Sequence, residues 1–259
     1  MTDSLYIAAT GMHSQQELIN VISNNLANVN TPGFKTGSIS FSDLMYREIN
    51  DQGLIGSVTG GSYEKGSGST ISGTSKSFTL GDIKSTDRSL DVAINGDGFL
   101  EVNLMDGSKA YTRNGSLSIS GEGLLTANGG YEISPVIQVP EDATDIVISG
   151  DGRVQASIPG QSALIDIGQI DLVKFVSAEN LKPVGGNLYL PTENSGDAII
   201  GRPGEDGLGT LSQGFLESSN VNLINELTNL ILAQRAYEIN SKVIQASDEM
   251  LSLSNGMRR

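Results

Sequence analysis

The chain has 259 residues, with 30 acidic and 16 basic side chains and a net charge of −14. That length can bury a sizeable core, and the deficit of Lys and Arg speaks against a nucleic-acid binder, which must displace counterions with clustered cations. No Cys occurs, so disulfides and thiolate metal sites are excluded.

The N-terminal segment reads as a helix. From Thr2 to Asn28 there is no Pro, and Gly11 is the only Gly. Leu5, Ala8, Met12, Gln15, Ile19, Ile22, Leu26 and Val29 recur in alternating steps of three and four, the spacing of a coiled-coil seam. Thr2 or Asp3 is placed to cap the start. Asn30-Thr31-Pro32-Gly33 stops the helix, because the residue before Pro is pushed out of the α region and Gly accepts unusual φ values. The start carries Asp3 and no basic stretch, unlike a cleaved signal peptide. No apolar run approaches the ~20 residues that span a bilayer, so the chain is expected not to be membrane-inserted.

Between about Asn50 and Ser77 a Gly/Ser/Thr-rich stretch with few large apolar residues reads as a flexible linker or an extended hairpin arm. The middle of the chain reads as β. Leu90, Val92 and Ile94 alternate, and hairpin-type dipeptides such as Asn95-Gly96, Asp106-Gly107, Asn114-Gly115 and Asn128-Gly129 recur at short intervals. Further strand candidates are 131–139, 146–148, 164–175 and 188–190.

Catalytic constellations are missing from this stretch and from the whole chain. His13 is the only His and lies outside the helical seam, so it reads as a solvated or interfacial residue. One His and no Cys cannot make a typical zinc site, and no Gly-x-Ser-x-Gly elbow occurs. Gly61 to Gly66 has P-loop spacing, but Ser67-Gly68 follows where Lys-Ser/Thr is required. The Asp-Gly pairs lack calcium-loop spacing and read as turns. No catalytic residue, cofactor or metal is therefore expected, although scattered carboxylates leave a carbohydrate-active enzyme open as a competing reading.

From Asn222 to Asn255 there is neither Pro nor Gly, and a second helix is expected. It carries two stripes. One is Leu223, Leu227, Leu230, Tyr237, Ile244 and Leu251, with Gln234, Ser241 and Asp248 on the same track. The other is Leu232, Ala236, Ile239, Val243, Ala246, Met250 and Leu253. Residues two apart lie about 200° apart around a helix, so the stripes face nearly opposite ways. A helix apolar on two sides needs partners on two sides. Either it is buried in an ordinary core, or one face meets the first helix and the other meets a neighbouring subunit. A single seam does not offset the entropy of ordering the free ends, so they are expected to order on packing.

The fold class expected is α+β. Residues 1–35 and 220–259 form a coiled-coil-like assembly domain around a mainly β domain of residues 78–219, with 36–77 as the arm or linker. The expected assembly residues are Leu5, Met12, Ile19, Ile22, Asn24, Asn25, Leu26 and Asn28 at one end. At the other they are Leu223, Leu227, Leu230, Gln234, Arg235, Tyr237, Ile239, Asn240 and Val243. Asn is a poor helix former, so repeated Asn at a helix end suggests amides with a hydrogen-bonding task.

Two segments carry a resemblance: Ser23-Asn24-Asn25-Leu26-Ala27-Asn28-Val29-Asn30-Thr31-Pro32-Gly33-Phe34-Lys35, and Ser219-Asn220-Val221-Asn222 followed by Glu226-Leu227 and Gln234 to Lys242. They resemble the terminal signatures of the bacterial flagellar rod and hook family. Leu90 to Phe99, Tyr111-Thr112-Arg113-Asn114-Gly115 and Gly185 to Tyr189 also resemble family motifs, so the likeness spans nearly the whole chain. Length and pattern are most like the distal rod members, with a proximal rod or hook-like axial subunit as the alternative. The resemblance implies a non-enzymatic subunit of a hollow helical homopolymer, the basal-body rod, that crosses the periplasm and transmits torque from motor to hook. It implies contacts with other rod proteins and the hook protein, passage inside the L and P ring bushings, and delivery by the flagellar type III export apparatus without a cleaved signal. A secreted β-rich binding module is the reading from another class.

Overall fold

The computed structural model describes residues 2–44, 46–49, 63–159 and 163–256. Its described residues fall into two compact units. One takes in Met1–Leu26, Gly37–Ser75 and Leu223–Arg259, and the other Ala27–Thr36 and Lys76–Asn222.

The first unit holds the two long helices, α1 (Thr2–Ala27) and α2 (Leu223–Gly256). The α1 stripe turns inward: Ala8 and Ile22 are buried, and Leu5, Met12, Ile19 and Leu26 are half-buried. Tyr6, His13, Gln16 and Asn20 lie on the exposed side. Strands Gly37–Asp43 and Ser69–Lys76 pair into a two-stranded ribbon. The ribbon lies along α1. Gly37 exchanges two hydrogen bonds with the Asn25 side chain, its N–H donating to Oδ1 at 2.8 Å and its carbonyl accepting from Nδ2 at 2.9 Å. Ser14 and Ser69 hydroxyls meet at 3.3 Å. Near the other end, Gly68 sits at φ +111° against Thr10, where any Cβ would collide with the Thr10 hydroxyl. The described part of the Gly/Ser-rich stretch is thus a β arm. Strands Tyr46–Ile49 and Tyr63–Gly66 also pair, and residues 50–62 lie outside the described residues.

The second unit is β. Seven antiparallel strands run in the order Lys182–Gly185, Leu188–Leu190, Lys109–Thr112, Phe99–Asn103, Tyr131–Ile133, Leu125–Ala127, Leu117–Ile119. Leu172–Lys174 also pairs with Phe99–Asn103, and Ile199–Gly201 pairs with Leu172–Lys174. A three-stranded sheet, Asp145–Ile148, Arg153–Ser157 and Ile165–Gln169, and the pair Val92–Asn95 with Thr210–Gln213 complete its core. Alternation along Phe99–Asn103 shows why the strand has two buried faces. Leu100 and Val102 point into the main core with Ile94, Leu117, Leu125, Ile133 and Leu172. Phe99 points the other way into an aromatic cluster with Tyr111, Val173, Phe175 and Tyr189.

Two strand candidates are shorter than the sequence pattern suggests. The 131–139 segment is a strand only to Ile133, since Pro135 has no N–H to give a ladder. The 164–175 segment splits between two sheets, Ile165–Gln169 and Leu172–Lys174, with fully buried Ile170 in the bend between them.

The grouping of the termini also differs from the expected one. Residues 27–36 cluster with the β unit and the ribbon clusters with the helices. The reason is that Gly33, Phe34 and Lys35 are buried within the β unit, whereas the ribbon is tied to α1.

Candidate assembly surfaces

In α2 the inward face follows steps of four and three. Glu226, Ala233 and Ser247 are buried, and Leu230, Asn240, Ile244 and Leu251 are half-buried. Asn240 on this track meets α1, since a Cβ at Gly11 would stand 3.0 Å from its Nδ2. Leu230, Ile244 and Leu251 belong to the first expected stripe. Of its other residues, Leu223, Leu227, Gln234 and Asp248 are exposed instead, Ser241 is half-buried, and Tyr237 is just exposed. The inward track alternates large residues with small or polar ones, because Ala233, Asn240 and Ser247 leave room for a neighbouring backbone that Leu would not.

The second stripe is left to solvent. Leu232 is 63% exposed, Ile239 61%, Leu253 68%, and Val243 and Met250 are also exposed. Arg235 lies on the same outward side and pairs with Glu238 at 2.8 Å. On α1, Asn25 is buried by its bonds to the ribbon, Asn24 is exposed, and Asn28 accepts from the Thr31 hydroxyl at 3.2 Å.

A site the seam reasoning missed lies in the β unit. Lys35 Nζ donates to Glu217 Oε1 at 2.6 Å, and Arg113 Nε donates to Glu217 Oε2 at 2.9 Å. All three side chains are essentially fully buried. Lys35 also donates to the Thr79 carbonyl at 2.6 Å, and Arg113 to the Gly96 carbonyl at 2.8 Å. The Gly81 N–H reaches Glu217 Oε1 at 2.9 Å. Burial lowers the Lys35 pKa, and repulsion from Arg113 lowers it further, against the attraction and hydrogen bond of Glu217. Two cations share one carboxylate, and every remaining polar contact helps to hold them.

Around this cluster the motif segments converge. The Gly33 N–H donates to the Glu217 carbonyl at 2.8 Å. Gly33 has φ +70° and packs so close that a Cβ would lie 2.8 Å from Asn114 N. Asn187 donates to the Pro32 carbonyl at 3.0 Å. The Asn220 Oδ1 accepts from Thr36 N at 2.8 Å and from Thr36 Oγ1 at 2.7 Å, while its Nδ2 donates to the Ser77 carbonyl at 2.9 Å. Residues 32–36, 77–81, 111–115, 186–189 and 217–220 are therefore one stitched base. A lone carboxylate after Phe215-Leu216, and lone cations in Gly33-Phe34-Lys35 and Tyr111-Thr112-Arg113, were the available sequence signals.

Three family profiles match the chain. A profile described as flagella basal body rod protein matches residues 5–35, the D1 domain of the flagellar hook protein FlgE/F/G matches 93–156, and the C-terminal region of the flagellar basal body rod FlgEFG protein matches 212–257. The flagellar basal-body rod protein FlgG of Buchnera aphidicola subsp. Schizaphis graminum is 46% identical over 254 residues, covering 97% of this chain and 98% of its own. The chain belongs to the flagellar basal-body rod protein family. The FlgG protein of Borreliella burgdorferi is 42% identical and that of Bacillus subtilis 38%, each over the full length of both chains. The protein is accordingly a structural rod subunit of the flagellar basal body. Its motif segments are the ones that meet at the stitched base and along α1 and α2. No helix among the described residues is long and apolar enough to cross a membrane.

Proposed function

We propose that this rod subunit polymerises through α1 and α2 into a hollow helical shaft, at the distal rod position, that carries torque from motor to hook. The observation that supports this is the outward stripe of α2. Leu232, Ile239, Val243, Met250 and Leu253 form an apolar face along one side of a 34-residue helix whose opposite side already packs inward. A stripe of that length is uncovered in one chain and covered when helices of neighbouring copies pack side by side. The interface residues read from the sequence take their places accordingly. Leu5, Met12, Ile19, Ile22, Leu26, Leu230 and Asn240 hold the helical unit together, while Leu223, Leu227, Gln234, Arg235, Tyr237, Ile239 and Val243 face neighbours. Asn24, Asn25 and Asn28 finish α1.

The same reading makes the chain a non-catalytic protein, exported through the flagellar apparatus without a cleaved signal, crossing the periplasm inside the L and P rings and meeting other rod proteins and the hook. The test is electron microscopy of the full-length protein brought to high concentration. Open helical filaments or tubes support the reading. A protein that stays monomeric, or that forms only closed dimers, overturns it. Turnover assays on cell-wall glycans test the non-catalytic part.

A further inference from the structure

We draw no further inference here: the strongest candidate, the cleft of about 490 Å³ beside Phe78 in the β unit, carries none, because its Lys174 is already paired with Asp97 at 3.3 Å and nothing in the structure shows what covers it.

Discussion

Replacing Glu217 by Gln removes the carboxylate shared by two buried cations, while changing volume and shape very little. Lys35 and Arg113 remain, 0% and 2% exposed at their side chains, facing a neutral amide. Breaking a buried pair in this way costs roughly 3–5 kcal/mol, because it leaves an uncompensated charge rather than a void. For a unit of about 150 residues that corresponds to a melting-temperature fall of about 6–20 °C. Lys35→Met makes the contrast. It leaves Arg113 and Glu217 as a balanced pair, and it removes the cation that burial and Arg113 disfavour. The Thr79 carbonyl loses Lys35 but keeps Asn220 Nδ2 at 3.3 Å. Lys35→Met is thus expected to change stability by about 1 kcal/mol or less, in either direction. Pairing Lys35→Met with Glu217→Gln is expected to recover part of the Glu217→Gln loss. Calorimetric melting of the four full-length proteins measures this. If Lys35→Met proves as damaging as Glu217→Gln, the base is held by the sum of its bonds and not by its charge balance, and the reasoning fails.

Leu227→Asp and Leu232→Asp both alter exposed sites of α2, so each is expected to leave monomer stability within about 0.5 kcal/mol while abolishing polymerisation and swimming. Normal swimming in either variant counts against the outward faces. Gly33→Ala forces a Cβ onto a backbone at φ +70° and into the 113–114 peptide, a loss of more than about 2 kcal/mol that a denaturant melt reads directly. Alkali supplies a further check. Burial raises both phenols from 10.0 to about 12; the Glu101 carboxylate adds to this at Tyr111, while at Tyr189 the Arg113 cation opposes it more than Glu217 reinforces it. Their contribution is intact below pH 10 and is lost between pH 10 and 12, at roughly 2–3 kcal/mol for Tyr189 and less for the better-solvated Tyr111. Lys35 and Lys76 have lowered pKa values and act the opposite way, adding stability as pH rises, but only up to about 10.5. Stability is therefore expected to fall steeply above pH 10.5, and Tyr189→Phe should remove part of that fall.

The parts legible in the sequence are those written in local periods. The α1 stripe is read off steps of three and four and lies inward as spaced, and the β middle is marked by its turn dipeptides. In α2 the same reading identifies Leu230, Ile244 and Leu251 but joins them to the wrong companion track. Leu227 is apolar and exposed, whereas Ala233 and Ser247 are buried, because close helix packing selects small side chains as readily as apolar ones. The stitched base was not legible as a site. Lys35 and Glu217 are 182 positions apart, and no local pattern says that a cation ending one motif answers a carboxylate preceding another. The buried aromatic cluster escapes for the same reason, since Phe99, Phe175 and Tyr189 come from three separate segments.

The 182-residue span between Lys35 and Glu217 also orders events in time. Closing a loop of that length is slow, and the bond between its ends forms late. A chain that emerges N-terminus first must deliver all 182 positions beyond Lys35 before Glu217 arrives to receive Lys35 and Arg113. Until then the N-terminal segment of the β unit lacks its carboxylate partner, and a nascent chain stays open. Arrival of Glu217 is followed within three residues by Asn220, which fastens Thr36 and Ser77. The β unit therefore closes just as α2, with its uncovered apolar stripe, begins to emerge.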